Sequence, residues 1–206
     1  MEFALDEWVT GEHPKDLERQ ECIELGETLA QLHALPCSGF GLLENRDDTL
    51  TGVATDPRAG ALTRLEQPFP LTPLEVSAVS RDAPDSLPRL RALESELNAV
   101  IASEPFVVNH SDLHAGQMLT RNGHLEALLD FGDACIGTST WDIASFAFFH
   151  GWHNTAWLLE GYGSDQLEAA KRFCVVLCLH HLNRAVSKPE RRGRALERLR
   201  ETLIRL

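Results

Sequence analysis

The stretch from Asn109 to Ala134, "NHSDLHAGQMLTRNGHLEALLDFGDA", gathers side chains that could carry acid–base and metal chemistry. Asp112 follows one short apolar run, and Asp130 ends a later one. Two separated carboxylates suit phosphoryl transfer from a metal-bound nucleotide, because one can orient the acceptor hydroxyl and the other can hold the Mg²⁺ that bridges the phosphates. The amide oxygen of Gln117, between them, would add a neutral metal ligand.

The same stretch allows a second chemistry. His110, Asp112 and His114 alternate along the chain, and on a strand all three would point to one face. Histidine and carboxylate ligands on one face could bind a transition metal for hydrolysis. A metal-dependent hydrolase is therefore an alternative, although Leu113 and the following Ala-Gly pair are more typical of a loop.

Short strands and a turn should position these side chains. Apolar runs predict strands at 106–109, 117–120 and 124–130, and Asn122-Gly123 is typical of the turn that joins two strands in a hairpin. A helix with Ser86 as its cap should precede the first strand. We therefore expect a loop bearing Asp112, followed by a small hairpin.

The rest of the chain is predicted to be mainly helical. Apolar positions recur at helical spacing after Pro14, and helices are also expected from Asp142, over 165–186 and over 189–206. Residues 44–86 are polar and rich in proline, which predicts an irregular surface insertion. The predicted fold class is α+β, with helices dominating.

The last predicted helix is rich in arginine. A basic stripe can bind phosphates, but Glu190, Glu197 and Glu201 are interleaved with the arginines. Mixed charges over a leucine stripe are typical of a solvated helix face, and we favour that interpretation.

Composition narrows the possible partners. The chain has 206 residues, 43% of them hydrophobic, and a formal charge of -12, which fits one domain or one large lobe. The negative charge argues against nucleic acid as a partner and suits a cationic or metal-bridged ligand. No segment is apolar for long enough to span a bilayer, and the first residues are acidic rather than basic. We expect a cytoplasmic protein without a membrane partner.

Three segments in order, "HSDLHAGQ", "LLDFGDA" and "TWDIASFA", resemble the aminoglycoside phosphotransferase and choline kinase-like family, which has a protein kinase-like fold. Upstream, "EWVTGE", "LAQLHALP" and "GFGLL" are similar to the segment that follows the family's interlobe hinge. The resemblance covers most of the chain and implies a C-terminal lobe, with residues 1–12 as a hinge-like strand, 106–142 as the catalytic loop and metal hairpin, and 143–206 as helices.

The resemblance implies roles for five residues. Asp112 looks like the catalytic base, and Asp130 looks like the main magnesium ligand. Gln117 stands where the family has a metal-binding Asn. His110 would be a structural member of the loop, and Asp142 would brace the loop from the following helix. The implied reaction uses ATP or GTP with Mg²⁺ and a small-molecule hydroxyl acceptor, for which a cationic compound is one candidate.

The sequence departs from the family pattern at several points, and these departures allow other functions than an active phosphotransferase. Because the resemblance begins at the hinge, we expect the N-terminal nucleotide lobe to be absent from this chain and supplied by a missing segment or a partner. Without it, the chain could be a pseudokinase-like binding or regulatory lobe. Gln117 is one methylene longer than Asn, and Ser111 stands where the family often has Gly.

Overall fold

The protein is described by a computed structural model that covers residues 9–46, 49–61, 73–185 and 188–206. The helices are α1 (Arg19–His33), α2 (Pro57–Ala61), α3 (Ala78–Asp82), α4 (Leu87–Ser103), α5 (Thr140–Tyr162), α6 (Leu167–Arg184) and α7 (Pro189–Ile204). The strands are β1 (Cys37–Ser38), β2 (Phe40–Arg46), β3 (Thr49–Ala54), β4 (Phe106–Asn109), β5 (Met118–Arg121), β6 (His124–Leu128) and β7 (Cys135–Thr138). The predicted mainly helical α+β class is confirmed.

The core lies between the long helices, where apolar side chains recur every three or four residues. Leu25 and Leu29 of α1 and Leu90 and Leu97 of α4 are fully buried. They belong to one continuous cluster that includes Phe173 of α6. Burying a leucine side chain stabilises the fold by about 1.5–3 kcal/mol, so this spacing is sufficient to fix the helices against one another.

Two sheets lie beside the helices. The larger one has the order β1-β3-β2-β7-β4, with β1 and β3 parallel and the other pairs antiparallel. All four residues of β7 are buried. Strand β4 ends at Asn109, next to Cys135 at the start of β7, so the sheet delivers both ends of the predicted catalytic stretch to one place.

The second sheet is the hairpin of β5 and β6. Asn122 and Gly123 form its turn with φ values of 55° and 78°, the left-handed conformation that such turns require. Glu12 pairs with Thr120 through two backbone hydrogen bonds of 2.9 Å. Of the predicted hinge-like strand at residues 1–12, the first eight residues lie outside the described ranges.

The stretch 44–86 differs from the predicted irregular insertion. Its described part continues β2, contains all of β3 and includes α2 and α3. The prediction failed because strands that pair within a sheet can satisfy their backbone despite polar side chains. Residues 47–48 and 62–72 of this stretch lie outside the described ranges.

Helix α5 is interrupted at Gly151, whose φ of 86° and ψ of 165° are not helical. The guanidinium of Arg198 lies next to this glycine, and its Nε donates to the carbonyl of Phe148 at 3.3 Å. Because a kink removes helical hydrogen bonds, the freed carbonyl can accept from another helix.

Of the helices in the described ranges, none is long and apolar enough to cross a membrane.

Helices α1 and α5 approach so closely that glycine is required on both. A Cβ at Gly26 would lie 2.0 Å from the carbonyl oxygen of Leu158, and one at Gly161 would lie 1.9 Å from that of Ile23. Backbone cannot yield as a flexible side chain can, so any larger residue must separate the two helices.

We expect Gly26→Ala to lower the free energy of unfolding by about 2 kcal/mol, because the cost of overpacking exceeds the helix propensity that alanine adds. Gly193→Ala is the matched control, since nothing lies within 4 Å of its Cβ. The control should be neutral or gain up to about 1 kcal/mol. Urea unfolding of both variants checks this, and equal effects would contradict the proposed helix contact.

Candidate functional site

The loop after β4 is held by one buried carboxylate. Asp142, in the first turn of α5, is fully buried, and its two oxygens accept from the backbone N–H groups of His110 at 2.8 Å and Ser111 at 2.7 Å. A negative charge in the first turn of a helix is also favoured by the helix dipole. These contacts are those that a loop brace needs.

Asp142 has a further partner in His33, at the end of α1. His33 Nε2 lies 3.2 Å from the Asp142 carboxylate, and His33 Nδ1 lies 2.8 Å from the Tyr162 hydroxyl. Because a carboxylate accepts, His33 Nε2 donates to Asp142, and the other ring nitrogen is hydrogen-bonded to the Tyr162 hydroxyl. The three residues connect α1, both ends of α5 and the loop.

His110 connects the loop to the end of the hairpin. Its side chain is fully buried, with Nε2 donating to the Leu129 carbonyl at 2.7 Å and Nδ1 accepting from the Asp112 N–H at 3.3 Å. The ring also makes an edge contact with Phe131 at a centroid distance of 4.8 Å. His110 thereby couples the backbone of Asp112 to the segment that carries Asp130.

Two more residues of α5 fix the loop. The Leu113 N–H donates to Ser145 Oγ at 3.2 Å, and His150 Nε2 donates to the Leu113 carbonyl at 3.0 Å. Leu113 itself is fully buried. The backbone on both sides of Asp112 is therefore tied to one helix.

The side chain of Asp112 remains accessible between these anchors, with 30% of it exposed. Its Oδ2 lies 3.5 Å from His114 Nε2. His114 Nδ1 accepts from the Gly116 N–H at 3.0 Å, which orients the imidazole. The structure thus presents one carboxylate on a rigid backbone with a histidine beside it, an arrangement that could accept a proton from a hydroxyl.

Asp130 and Gln117 are adjacent. Gln117 Nε2 donates to Asp130 Oδ2 at 3.2 Å, and Asp130 Oδ1 accepts from the Gly132 N–H at 3.2 Å. Asp130 has a φ of 60°, which turns the chain sharply after β6 and leaves the residue exposed. Each of its oxygens keeps a lone pair for a cation.

Ser111 has a φ of 75°, in the left-handed region that favours glycine. The family resemblance placed glycine at this position, and the structure gives the physical reason. Non-glycine residues are held there at a cost of about 1–3 kcal/mol, so the Asp142 contact must over-determine the backbone.

The alternative of a metal site at His110, Asp112 and His114 does not fit this geometry. Both ring nitrogens of His110 already have backbone partners, and His114 Nδ1 accepts from Gly116. Within the part of the chain that the structure describes, no group of three histidine, cysteine, aspartate or glutamate side chains could hold a metal ion.

Sequence reasoning missed His33, Ser145 and His150. His33 carried a detectable signal, because it follows Leu25 and Leu29 at four-residue spacing and so places a polar ring on the buried face of α1. Ser145 and His150 carried none, since their partners are backbone groups more than thirty positions earlier, at separations of 32 and 37 residues.

Two histidines beside the loop are kept neutral by their surroundings. Burial lowers the pKa of His150 to about 4, with the charges of His114, Arg198 and Arg194 adding to the effect. Burial also lowers the pKa of His181 to about 4, assisted by His180 and nearby arginines. The His181 ring stacks on Phe148 at 4.2 Å and 9°.

We expect Asp142→Asn to cost about 3 kcal/mol of unfolding free energy, because an amide N–H would then face a buried backbone N–H. Hydrogen exchange at the His110 and Ser111 amides should accelerate. Asp165→Asn is the control, since that exposed carboxylate accepts a single backbone N–H, from Leu167 at 3.2 Å. Asparagine serves equally well there, so the control should change stability by less than about 0.5 kcal/mol. Urea unfolding and amide hydrogen exchange measured on both variants check this prediction. Unchanged exchange at the Ser111 amide would contradict the role of Asp142 in holding the loop.

Stability should fall as the pH drops from about 6.5 towards about 4. Between these values the unfolded histidines, with an ordinary pKa of 6.5, bind protons that the folded His150 and His181 do not. His181→Phe should keep the stack on Phe148 and reduce this pH dependence, whereas His153→Phe, on an exposed site, should not. Urea midpoints measured from pH 7 to 4 check this, and an unchanged slope in His181→Phe would contradict it.

Several solved structures share this architecture. Aminoglycoside phosphotransferase APH(4)-Ia gives a TM-score of 0.61 with 19% identity, over 96% of this chain and 69% of that one. A thermostable mutant of that enzyme, in a ternary complex with ADP and hygromycin B, gives 0.61 with 17% identity, over 96% and 70%. ADP-bound APH(2'')-Ib gives 0.55 with 16% identity, over 95% and 69%. At these identities the likeness establishes the fold.

Comparison with curated protein sequences gives no match. A sequence profile of the APH phosphotransferase enzyme family matches residues 1–174, which is most of the chain and includes the loop, the hairpin and the first part of α6. Together with the kinase-like fold of the structural relatives, this shows that the chain belongs to the phosphotransferase enzyme family.

Proposed function

We propose that the chain transfers the terminal phosphate of ATP or GTP to a hydroxyl of a small molecule. Membership of the phosphotransferase family supports the reaction class. The observation that carries the proposal is the position of Asp112, which is accessible although the backbone around it is anchored to α5 and to the hairpin end. Structural relatives described as complexes with ADP and hygromycin B support a nucleotide and a hydroxylated acceptor.

In this proposal Asp112 orients the acceptor hydroxyl and receives its proton at a carboxylate oxygen. His114, 3.5 Å from that carboxylate, keeps it in place. Asp142 and His110 do not touch the reactants, and they position Asp112 through the loop backbone. Positioning of this kind matters, because small displacements of a catalytic group can cost about a hundredfold in rate.

Asp130 and Gln117 fit a magnesium ion. Mg²⁺ is usually held by one or two carboxylates together with waters and substrate phosphates, so one exposed carboxylate beside a carboxamide is sufficient. Gln117 donates its Nε2 to Asp130, which leaves its Oε1 as the atom that could bind the cation. When bound, Mg²⁺ would neutralise the charge of the transferred phosphate.

Binding should be tested first, by thermal unfolding of the purified chain with ATP, GTP and Mg²⁺, separately and together. A ligand that binds the native state stabilises it by about 2.7 kcal/mol at one hundred times its Kd. We expect the rise to need nucleotide and Mg²⁺ together. Turnover is then followed as nucleoside diphosphate release in the presence of hydroxylated acceptors.

Two substitutions should separate catalysis from metal binding. Asp112→Asn should lower turnover by about a hundredfold or more, because it removes the proton acceptor, and should leave stabilisation by Mg²⁺-nucleotide nearly intact. Asp130→Ala should abolish the magnesium-dependent part of that stabilisation. Asp165→Asn, on the surface of the same domain, should change neither.

The outcomes discriminate between the candidate functions. Equal loss of binding and turnover in Asp112→Asn would make Asp112 a metal ligand or a structural residue. Nucleotide binding without diphosphate release for any acceptor would replace the enzyme with a pseudokinase-like binding lobe. An unchanged response to Mg²⁺ in Asp130→Ala would discard the proposed metal site.

A further inference from the structure

A cavity of about 600 Å³ opens beside Asp112. Helix α7 and the residues before α1 contribute cations to its wall, which are Lys15, Arg191 and Arg194. Among the described residues that line the cavity, the sole carboxylate is Asp112 itself. The chain as a whole has a net charge of -12, so the positive charge of the cavity wall is opposite in sign to that of the protein.

These cations differ from the other basic residues of α7 in their partners. Arg192 is bonded to Asp82, and Arg198 and Arg205 are both bonded to Glu201. Lys15, Arg191 and Arg194 make no ion pair with any carboxylate in the described ranges, although each is exposed. An unpaired guanidinium keeps its full set of donors for a carboxylate or a phosphate.

The rest of the wall is partly aromatic. His181 stacks on Phe148, and Phe149 contacts both His114 and His181. Burial, together with the positive charge of Arg191 and Arg194, lowers the pKa of His181 to about 4 and so keeps this ring uncharged at neutral pH. Lys15, Arg191 and Arg194, rather than His150 and His181, therefore supply positive charge to the cavity.

We propose that the acceptor is a small hydroxylated molecule that also carries an anionic group, a carboxylate or a phosphate. The wall of Lys15, Arg191 and Arg194 holds the anion, while Asp112 faces the hydroxyl. This inference rests on the proposed phosphotransferase function. The net negative charge of the sequence suggested a cationic acceptor. The acceptor proposed here has the opposite charge, and it also differs in charge from an amino sugar.

The charge class can be tested before the acceptor is known, with simple ions as probes. The ¹⁵N-labelled full chain is titrated with inorganic phosphate, acetate or methylammonium at constant ionic strength, and the arginine Nε–H signals are followed by NMR. We expect saturable shifts at Arg191 and Arg194 with the anions and none with methylammonium. Comparison of the phosphate and acetate titrations identifies which anion the wall prefers.

Substitutions on one helix supply the control. Arg191→Gln and Arg194→Gln should each weaken anion affinity by about fivefold, the upper range for an exposed ion pair. Arg200→Gln should not, because Arg200 is an exposed arginine of α7 that does not line the cavity. Shifts that do not saturate, or that are equal at Arg200, would show an adventitious ion only and overturn the proposal. Displacement of the anion by Mg²⁺-ATP would assign the cations to nucleotide phosphate and also overturn it.

A final comparison separates this proposal from the proposed function. Asp112→Asn should retain or improve anion binding, because it removes a nearby negative charge, while it lowers turnover by about a hundredfold or more. Saturable anion binding with no phosphoryl transfer to any acceptor would support the anion site and contradict the proposed phosphotransferase function. The opposite outcome is transfer to neutral or cationic acceptors at rates that Arg191→Gln and Arg194→Gln do not change. It would support the phosphotransferase function and contradict the anionic acceptor.

Discussion

The arrangement of the site depends on the buried carboxylate of Asp142. A charge in a protein interior is tolerated when it is fully hydrogen-bonded, and Asp142 meets this condition with two backbone N–H groups and His33. The backbone groups belong to the loop, so satisfying the charge also fixes the loop. The strained φ of Ser111 is retained because two donors must point at one carboxylate. The hydrogen bonds that compensate the buried charge are therefore the same ones that position the loop.

Helix α5 acts as the frame for the remaining parts. Its first turn holds the loop through Asp142, its second through Ser145, and the residue before the kink, His150, holds the Leu113 carbonyl. Beyond the kink, the same helix crosses α1 at a distance that permits glycine alone. His110 then extends this frame to the hairpin end. In the proposed function the exposed Asp112 carries the chemistry, and the buried side chains hold its loop in place.

Local patterns predicted the elements that their own residues determine, whether or not their partners are close in sequence. The Asn122-Gly123 turn, the strand at 106–109 and the long helices follow from local preferences and periodicity. Strand β7 was not predicted, because four residues that include a glycine give no alternation, and its pairing with β2 and β4 is long-range. His33 lies 109 residues from Asp142, and Arg191 lies on a helix whose mixed charges indicated a solvated face. Such contacts depend on tertiary packing, which one sequence does not display.

The kink at Gly151 has a consequence for how α7 is held relative to the loop of Asp112. Arg198 donates to the carbonyl of Phe148, and Trp152 Nε1 donates to Thr202 Oγ1 at 3.0 Å, so α7 is fastened to α5 on both sides of the break. The same helix α5 carries the loop of Asp112. The loop and α7 are therefore both attached to α5, the loop before the break and α7 on both sides of it. The separation between Asp112 and the arginines of the cavity is therefore set by the geometry of α5 at Gly151, and a change that straightened the helix there would move Arg191 and Arg194 relative to Asp112.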